Sequence, residues 1–234
     1  MEFNSIEIAS TEQKTAQATL FKNVYSWMAM ALVVTGLTAF FVANSETLIQ
    51  AIYGNKILFY VILFSPLALV WYLSARINTL TLSTATILFI VYSVLNGLTF
   101  SFIFMYYTTT SIASTFFITA GTFAAMALIG TFTKKDLSSI GSILFMALIG
   151  LIIASVVNVF WNNDLLYWIV SYAGVLIFVG LTAYDAQKIK RMINEHGTEV
   201  NESTQKIALI GALSLYLDFI NLFLFMLRIL GGRK

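Results

Sequence analysis

The chain has no cysteine, a single histidine and a single proline among its 234 residues. Without cysteine there is no disulfide framework and no thiolate metal site. With one histidine, His196, neither the HExxH zinc-peptidase pattern nor a Cys–His nucleophile can be assembled. No P-loop and no GxGxxG occurs, so nucleotide-driven transport has no basis. Charge is scarce too: Asp, Glu, Lys and Arg make up 10% of the chain, where a soluble domain carries about 25%. The formal charge of +2 comes without a basic cluster, which excludes a nucleic-acid face.

What remains is apolar. Hydrophobic residues reach 59% and fall in seven runs, at 24–43, 57–75, 82–106, 112–132, 140–160, 166–184 and 207–230. Each is close to the about 20 residues that a helix needs to cross a bilayer core. The runs are roughly twice the length of a barrel strand and lack period-two alternation. The expected fold is an all-α polytopic membrane protein with seven transmembrane helices. Residues 1–22 are polar, mixed in charge and without the short apolar core of a signal peptide, and are expected to form a soluble tail. A single transmembrane domain, 23–234, follows. The other long hydrophilic stretch, 186–206, reads as a loop. With the N-terminus cytoplasmic, Lys14, Lys22, Arg76, Lys134, Lys135, Lys188, Lys190, Arg191 and Lys206 all fall inside. Lys56, Arg233 and Lys234 remain outside, with Arg228 near the end of the last span. The positive-inside rule therefore favours N-in, C-out.

Ionisable residues within or against the apolar runs are Arg76, Asp185, Asp218 and Arg228. Asp218 lies about 16 Å along its span, close to mid-depth, where an aspartate costs about 2.5–3.5 kcal/mol on insertion scales. Gly211, Ser214, Asp218 and Asn221 recur at helical spacing and form a small, polar stripe suited to close helix packing. Asp218 is thus expected to point inward, and the last helix to be wrapped by the others. Two readings stay open: a structural acid that holds helices in register, or a functional one. Asp185, just before Lys188, reads by itself as an interfacial residue. If the two acids meet, they cannot both ionise cheaply and would share a proton. Arg76 could then latch onto one of them, which is the physical basis of a pH-sensitive gate.

Other polar residues carry less. Asn96 and Asn158 read as interhelical hydrogen bonds, His196 as solvated in a charged loop, Lys134-Lys135-Asp136 as an orienting loop, and Pro66 as a kink in the second span. Tyr184-Asp185 matches half of the intramembrane aspartyl protease pattern. The other half, GxGD, is missing, since Leu215-Tyr216-Leu217 precede Asp218. An enzyme is therefore not expected; the protease reading would need cleavage of a membrane peptide that disappears with either Asp.

Several stretches resemble the Bax inhibitor family, the transmembrane BAX-inhibitor-motif proteins. ALSLYLDFINLF at 212–223 looks like its closing signature and GLTAYDAQ at 180–187 like its sixth-helix motif. NGLT at 96–99, TKKDL at 133–137 with Gly141, and VYSWM at 24–28 are similar to its bacterial branch. The resemblance implies a seven-helix fold with the C-terminal helix central, in which Asp185 and Asp218 are paired, proton-sharing acids. It implies a pH-sensitive calcium leak of the inner membrane, with Arg76 as the second-helix partner of one acid, no tightly bound cofactor, and a membrane-bound AAA protease as possible partner. A tight calcium site takes 6–8 oxygens, so Asp185 and Asp218 are expected to offer only weak, transient contact to a permeating Ca²⁺. The competing expectations are a non-conducting regulatory membrane protein with structural acids and a proton-coupled transporter of a small solute.

Overall fold

A computed structural model describes residues 2–197 and 199–234, with side chains from residue 11 onward. The described chain is helical throughout: α1 (Glu2–Ala43), α2 (Glu46–Gly54), α3 (Lys56–Arg76), α4 (Leu82–Tyr106), α5 (Thr109–Phe132), α6 (Ser138–Trp161), α7 (Asp164–His196) and α8 (Glu202–Leu230). All but α2 contain a stretch long and apolar enough to cross a membrane. Their outward surfaces carry Ile57, Phe64, Trp71, Ile143, Phe145 and Val159 well exposed. Such a surface is stable against hydrocarbon, where only internally bonded backbone is tolerated. The chain is a polytopic membrane protein. The last span is the most enclosed, with 56% of its apolar window buried against 6% for α6.

Three features depart from the sequence reading. Residues 46–54, left between spans, form the short helix α2, whose start is capped by Ser45 Oγ accepting from Leu48 N at 3.4 Å. Much of the stretch read as a loop at 186–206 is helix, because Ala186, Ile189 and Ile193 recur on one face and are buried. His196 therefore ends a helix, exposed, with Nδ1 3.2 Å from Met192 O. Asn96 and Asn158 bond locally rather than across helices. Asn96 Nδ2 donates to Tyr92 O at 2.9 Å, and Asn158 Oδ1 accepts from Asn163 N at 3.0 Å just past the end of α6.

The chain gathers into two compact units, the first made of residues up to Tyr106 with Arg191–Tyr216, the second of Tyr107–Lys190 with Leu217–Lys234. In the first, α1 and α4 approach closely where Gly97 leaves room. A β-carbon there would lie 2.7 Å from Thr35 O. Thr35 Oγ1 donates to Ser93 O at 3.0 Å and sits 2.8 Å from the Tyr216 hydroxyl. Thr35 has one proton to give, so Tyr216 is the donor between them. The Tyr216 ring packs edge-on against Phe89 and Tyr92. Pro66 lies inside α3 and deprives Ile62 O of its usual helical donor. Ser65 Oγ at 3.1 Å and Thr99 Oγ1 at 3.3 Å take its place, which is how membrane helices tolerate proline. Glu202 Oε1 accepts from Leu82 N at 3.0 Å and is paired with Lys206 at 3.1 Å, tying the start of α8 to that of α4.

In the second unit, glycines set the helix spacing. Gly130 of α5 lies against the backbone of Ala183, Gly141 of α6 against the Tyr184 ring, and Gly174 of α7 against the Phe225 ring. Small residues at such crossings let backbones approach in lipid. Past the end of α8, Gly232 O accepts from Thr108 N at 3.1 Å and Gly232 N donates to Ser111 Oγ at 2.9 Å.

Candidate functional site

Asp185 and Asp218 both belong to the second unit. Asp185 lies on α7, which the turn between α5 and α6 grips one helical turn away. Gln187 Nε2 donates to Lys135 O and its Oε1 accepts from Leu137 N, both at 2.8 Å. Lys190 Nζ donates to Thr131 O at 2.7 Å. The turn is itself braced by Asp136, whose Oδ1 accepts from Ser138 N at 2.9 Å and Ser138 Oγ at 2.7 Å. The segment 133–137 therefore does more than orient the chain: it fixes the height and rotation of α7 at Asp185. Gly130 against Ala183 and Gly141 against Tyr184 complete that grip from α5 and α6. Asp185 itself is half-buried, and Lys188, one turn on, is exposed.

Asp218 sits on α8 beside Phe219, whose ring packs against Phe116 and Phe123 of α5 at centroid distances of 5.4 Å each. Farther along, Phe225 stacks on Phe178 of α7 at 5.9 Å. These contacts turn Asp218 inward, where it is only 5% exposed. Its Oδ2 is buried without a hydrogen-bond partner among the described residues. The acid that neighbours Asp218 within the same unit is Asp185, on α7. The two acids are thus within electrostatic reach of each other in a largely apolar setting, where like charges are felt most strongly.

The remaining residues of the polar stripe divide. Gly211 is buried, while Ser214 and Asn221 are half-buried. Asn221 Nδ2 donates to Leu217 O at 2.8 Å, within its own helix. Arg76, the last residue of α3, is exposed and belongs to the first unit. Among the described residues, no three His, Cys, Asp or Glu side chains gather as a resident metal site requires. Two acids alone can give a cation passing contact.

Sequence reading did not single out Gln187 or Gly130, and it named Lys190 only as a cytoplasmic charge and Gly141 only as part of a motif. Gln187 and Gly141 fall inside the quoted motif stretches, but nothing in their residue types marks which partner they meet. Thr115 was missed too. It is fully buried on α5, and its Oγ1 lacks a partner among the described residues.

Residues 17–234 match the family model Bax1-I, inhibitor of apoptosis-promoting Bax1. The chain is 48% identical over 216 residues to the inner membrane protein YbhL of Escherichia coli K12, covering 92% of each. An uncharacterized protein of Borreliella burgdorferi is 42% identical over 231 residues, 96% of this chain and 97% of that protein. An uncharacterized protein of Rickettsia prowazekii is 43% identical over 215 residues, 90% and 88% of the two chains.

Proposed function

We propose, from the premise that this chain belongs to the Bax1-I family, that it is a pH-sensitive leak for Ca²⁺ in the inner membrane. The membrane assignment follows the name that its Escherichia coli relative carries. The observation that carries the reading is the pair Asp185 and Asp218 on two neighbouring helices, the second buried with an oxygen left unpartnered. Two carboxyl groups in a low-dielectric setting hold one proton between them more cheaply than none. Taking up or losing that proton changes the charge that a cation meets and the force between α7 and α8. Ca²⁺ is the cargo here, touched in passing by two acids rather than caged by the 6–8 oxygens of a tight site.

The test is Ca²⁺ flux from proteoliposomes holding the purified protein, scanned from about pH 5 to 8, beside Asp185→Asn and Asp218→Asn. The expected result is a leak whose pH dependence disappears in either variant. An unchanged pH profile in both variants would sink the proton-sharing gate. No flux above empty liposomes at any pH would point to a non-conducting, regulatory membrane protein. Proton uptake that depends on an added small solute would point to a coupled transporter.

A further inference from the structure

We infer that Arg228 is a binding site for the phosphate of an anionic membrane phospholipid. Its guanidinium lies 5.9 Å from the ring centroid of Tyr167 and 5.1 Å from that of Phe225. The two rings hold the cation by its π-faces and leave the N–H edge for an acceptor. No hydrogen bond or ion pair takes up that edge among the described residues. Arg228 is exposed, in the last turn of α8. An arginine fork with five donors and no protein acceptor, pinned in one orientation, matches phosphate oxygens in geometry and charge.

Its depth fits a headgroup. Arg228 is ten residues beyond Asp218 on the same helix, about 15 Å along its axis. That is half of a hydrocarbon core about 30 Å thick, so with Asp218 near mid-depth the guanidinium reaches the interface. Trp161, ending α6, and Trp168, in the first turns of α7, are exposed by 71% and 41%. Both belong to the second unit with Tyr167 and Arg228, as members of the aromatic belt that marks headgroup level. The competing acceptor is Asp164, the exposed first residue of α7, which forms no ion pair with Arg228 among the described residues. With no ion pair to Arg228 among the described residues, the charge of its guanidinium favours a headgroup with net negative charge over a zwitterionic one.

The experiment uses the full chain in detergent micelles, with lipid binding followed by native mass spectrometry. Phosphatidylglycerol is compared with phosphatidylcholine of the same acyl chains, and glycerol 3-phosphate serves as the soluble phosphate. The wild type is expected to retain phosphatidylglycerol selectively, and Arg228→Gln to bind it about tenfold more weakly, the loss of a charge-assisted bond. Lys234→Gln should bind within about twofold of the wild type. Equal binding by Arg228→Gln and wild type would overturn the assignment. So would an equal loss in Lys234→Gln, which would mean diffuse charge, or full competition by glycerol 3-phosphate, which would mean phosphate without lipid. Should Arg228→Gln fail to fold, the wild type decides: no preference for phosphatidylglycerol over phosphatidylcholine overturns the site.

Discussion

Asp218 and Tyr216 stand two residues apart on one helix, and both are buried, yet their polar atoms are treated differently. The Tyr216 hydroxyl has a partner in Thr35, whose own hydroxyl donates a hydrogen bond to Ser93 O. Asp218 Oδ2 has none among the described residues. A group that serves as structural glue is expected to be satisfied, because leaving it unpaired forfeits the stability it is there to provide. The contrast yields a paired prediction. Thr35→Val strands the Tyr216 hydroxyl and should cost about 0.5–2 kcal/mol, the scale of interhelical hydrogen bonds in membranes. Asp218→Asn breaks no protein hydrogen bond at Oδ2 and removes an ionisable group from a buried position. Thermal unfolding of the purified variants should therefore show a lowered midpoint for Thr35→Val and an undiminished one for Asp218→Asn. A drop of several degrees in Asp218→Asn would restore the glue reading. The two sites also differ in legibility. Asp218 is conspicuous in the sequence as a charge in a hydrocarbon run. Thr35 and Tyr216 are common residue types lying 181 positions apart, and no local pattern joins them.

At the level of elements, the sequence states where helices cross a membrane but not where they touch. The seven apolar runs reappear within seven long helices, because length and composition alone decide whether backbone can lie in lipid. The errors arise where polarity was equated with loop. QKIKRMINEH at 187–196 exposes Lys188, Arg191 and Glu195, while its Ile189 and Ile193 keep the helical period of the buried Ala186. The periodicity was present; the density of charge masked it. Crossing points are hidden for another reason: Gly130, Gly141 and Gly121 look alike in sequence, yet only the first two have a neighbouring helix upon them. A β-carbon at Gly130 would meet the Ala183 carbonyl group, with its carbon at 2.7 Å, and backbone cannot rotate aside. At Gly121, on the same helix, nothing lies within 4 Å. Gly130→Ala should thus force α5 from α7 two residues before Asp185, costing about 1–3 kcal/mol. It should also disturb the pH response of any flux. Gly121→Ala should be neutral or slightly stabilising, since alanine is the better helix former. Equal melting temperatures for the two variants would refute the close approach at Ala183.

For the whole molecule, the count of crossings has one consequence that every loop must obey. Seven spans with the N-terminus inside put the loops after α1 and α6 on the outer face, and those after α3 and α5 on the cytoplasmic face. The charges agree, for Lys134 and Lys135 lie in the loop after α5 and Arg76 at the loop after α3, whereas Asn44 and Asn162 lie in loops without a lysine or arginine of their own beyond Lys56. The basic end of the chain, Arg228, Arg233 and Lys234, runs against that rule. Its aromatic seat, and the hydrogen bonds of Gly232 to Thr108 and Ser111, give it a structural reason to be where it is. The absence of native cysteine makes the topology directly testable, because a single introduced thiol is the only one the chain contains. Asn44, Asn78, Lys134 and Asn162 are all exposed, so Cys substitutions at each should fold. A membrane-impermeant maleimide added to intact cells should label Asn44→Cys and Asn162→Cys, and reach Asn78→Cys and Lys134→Cys only after the membrane is opened. The reverse pattern would invert the protein in the bilayer and place Asp185, with the Lys134–Lys135 turn that grips its helix, on the outer side.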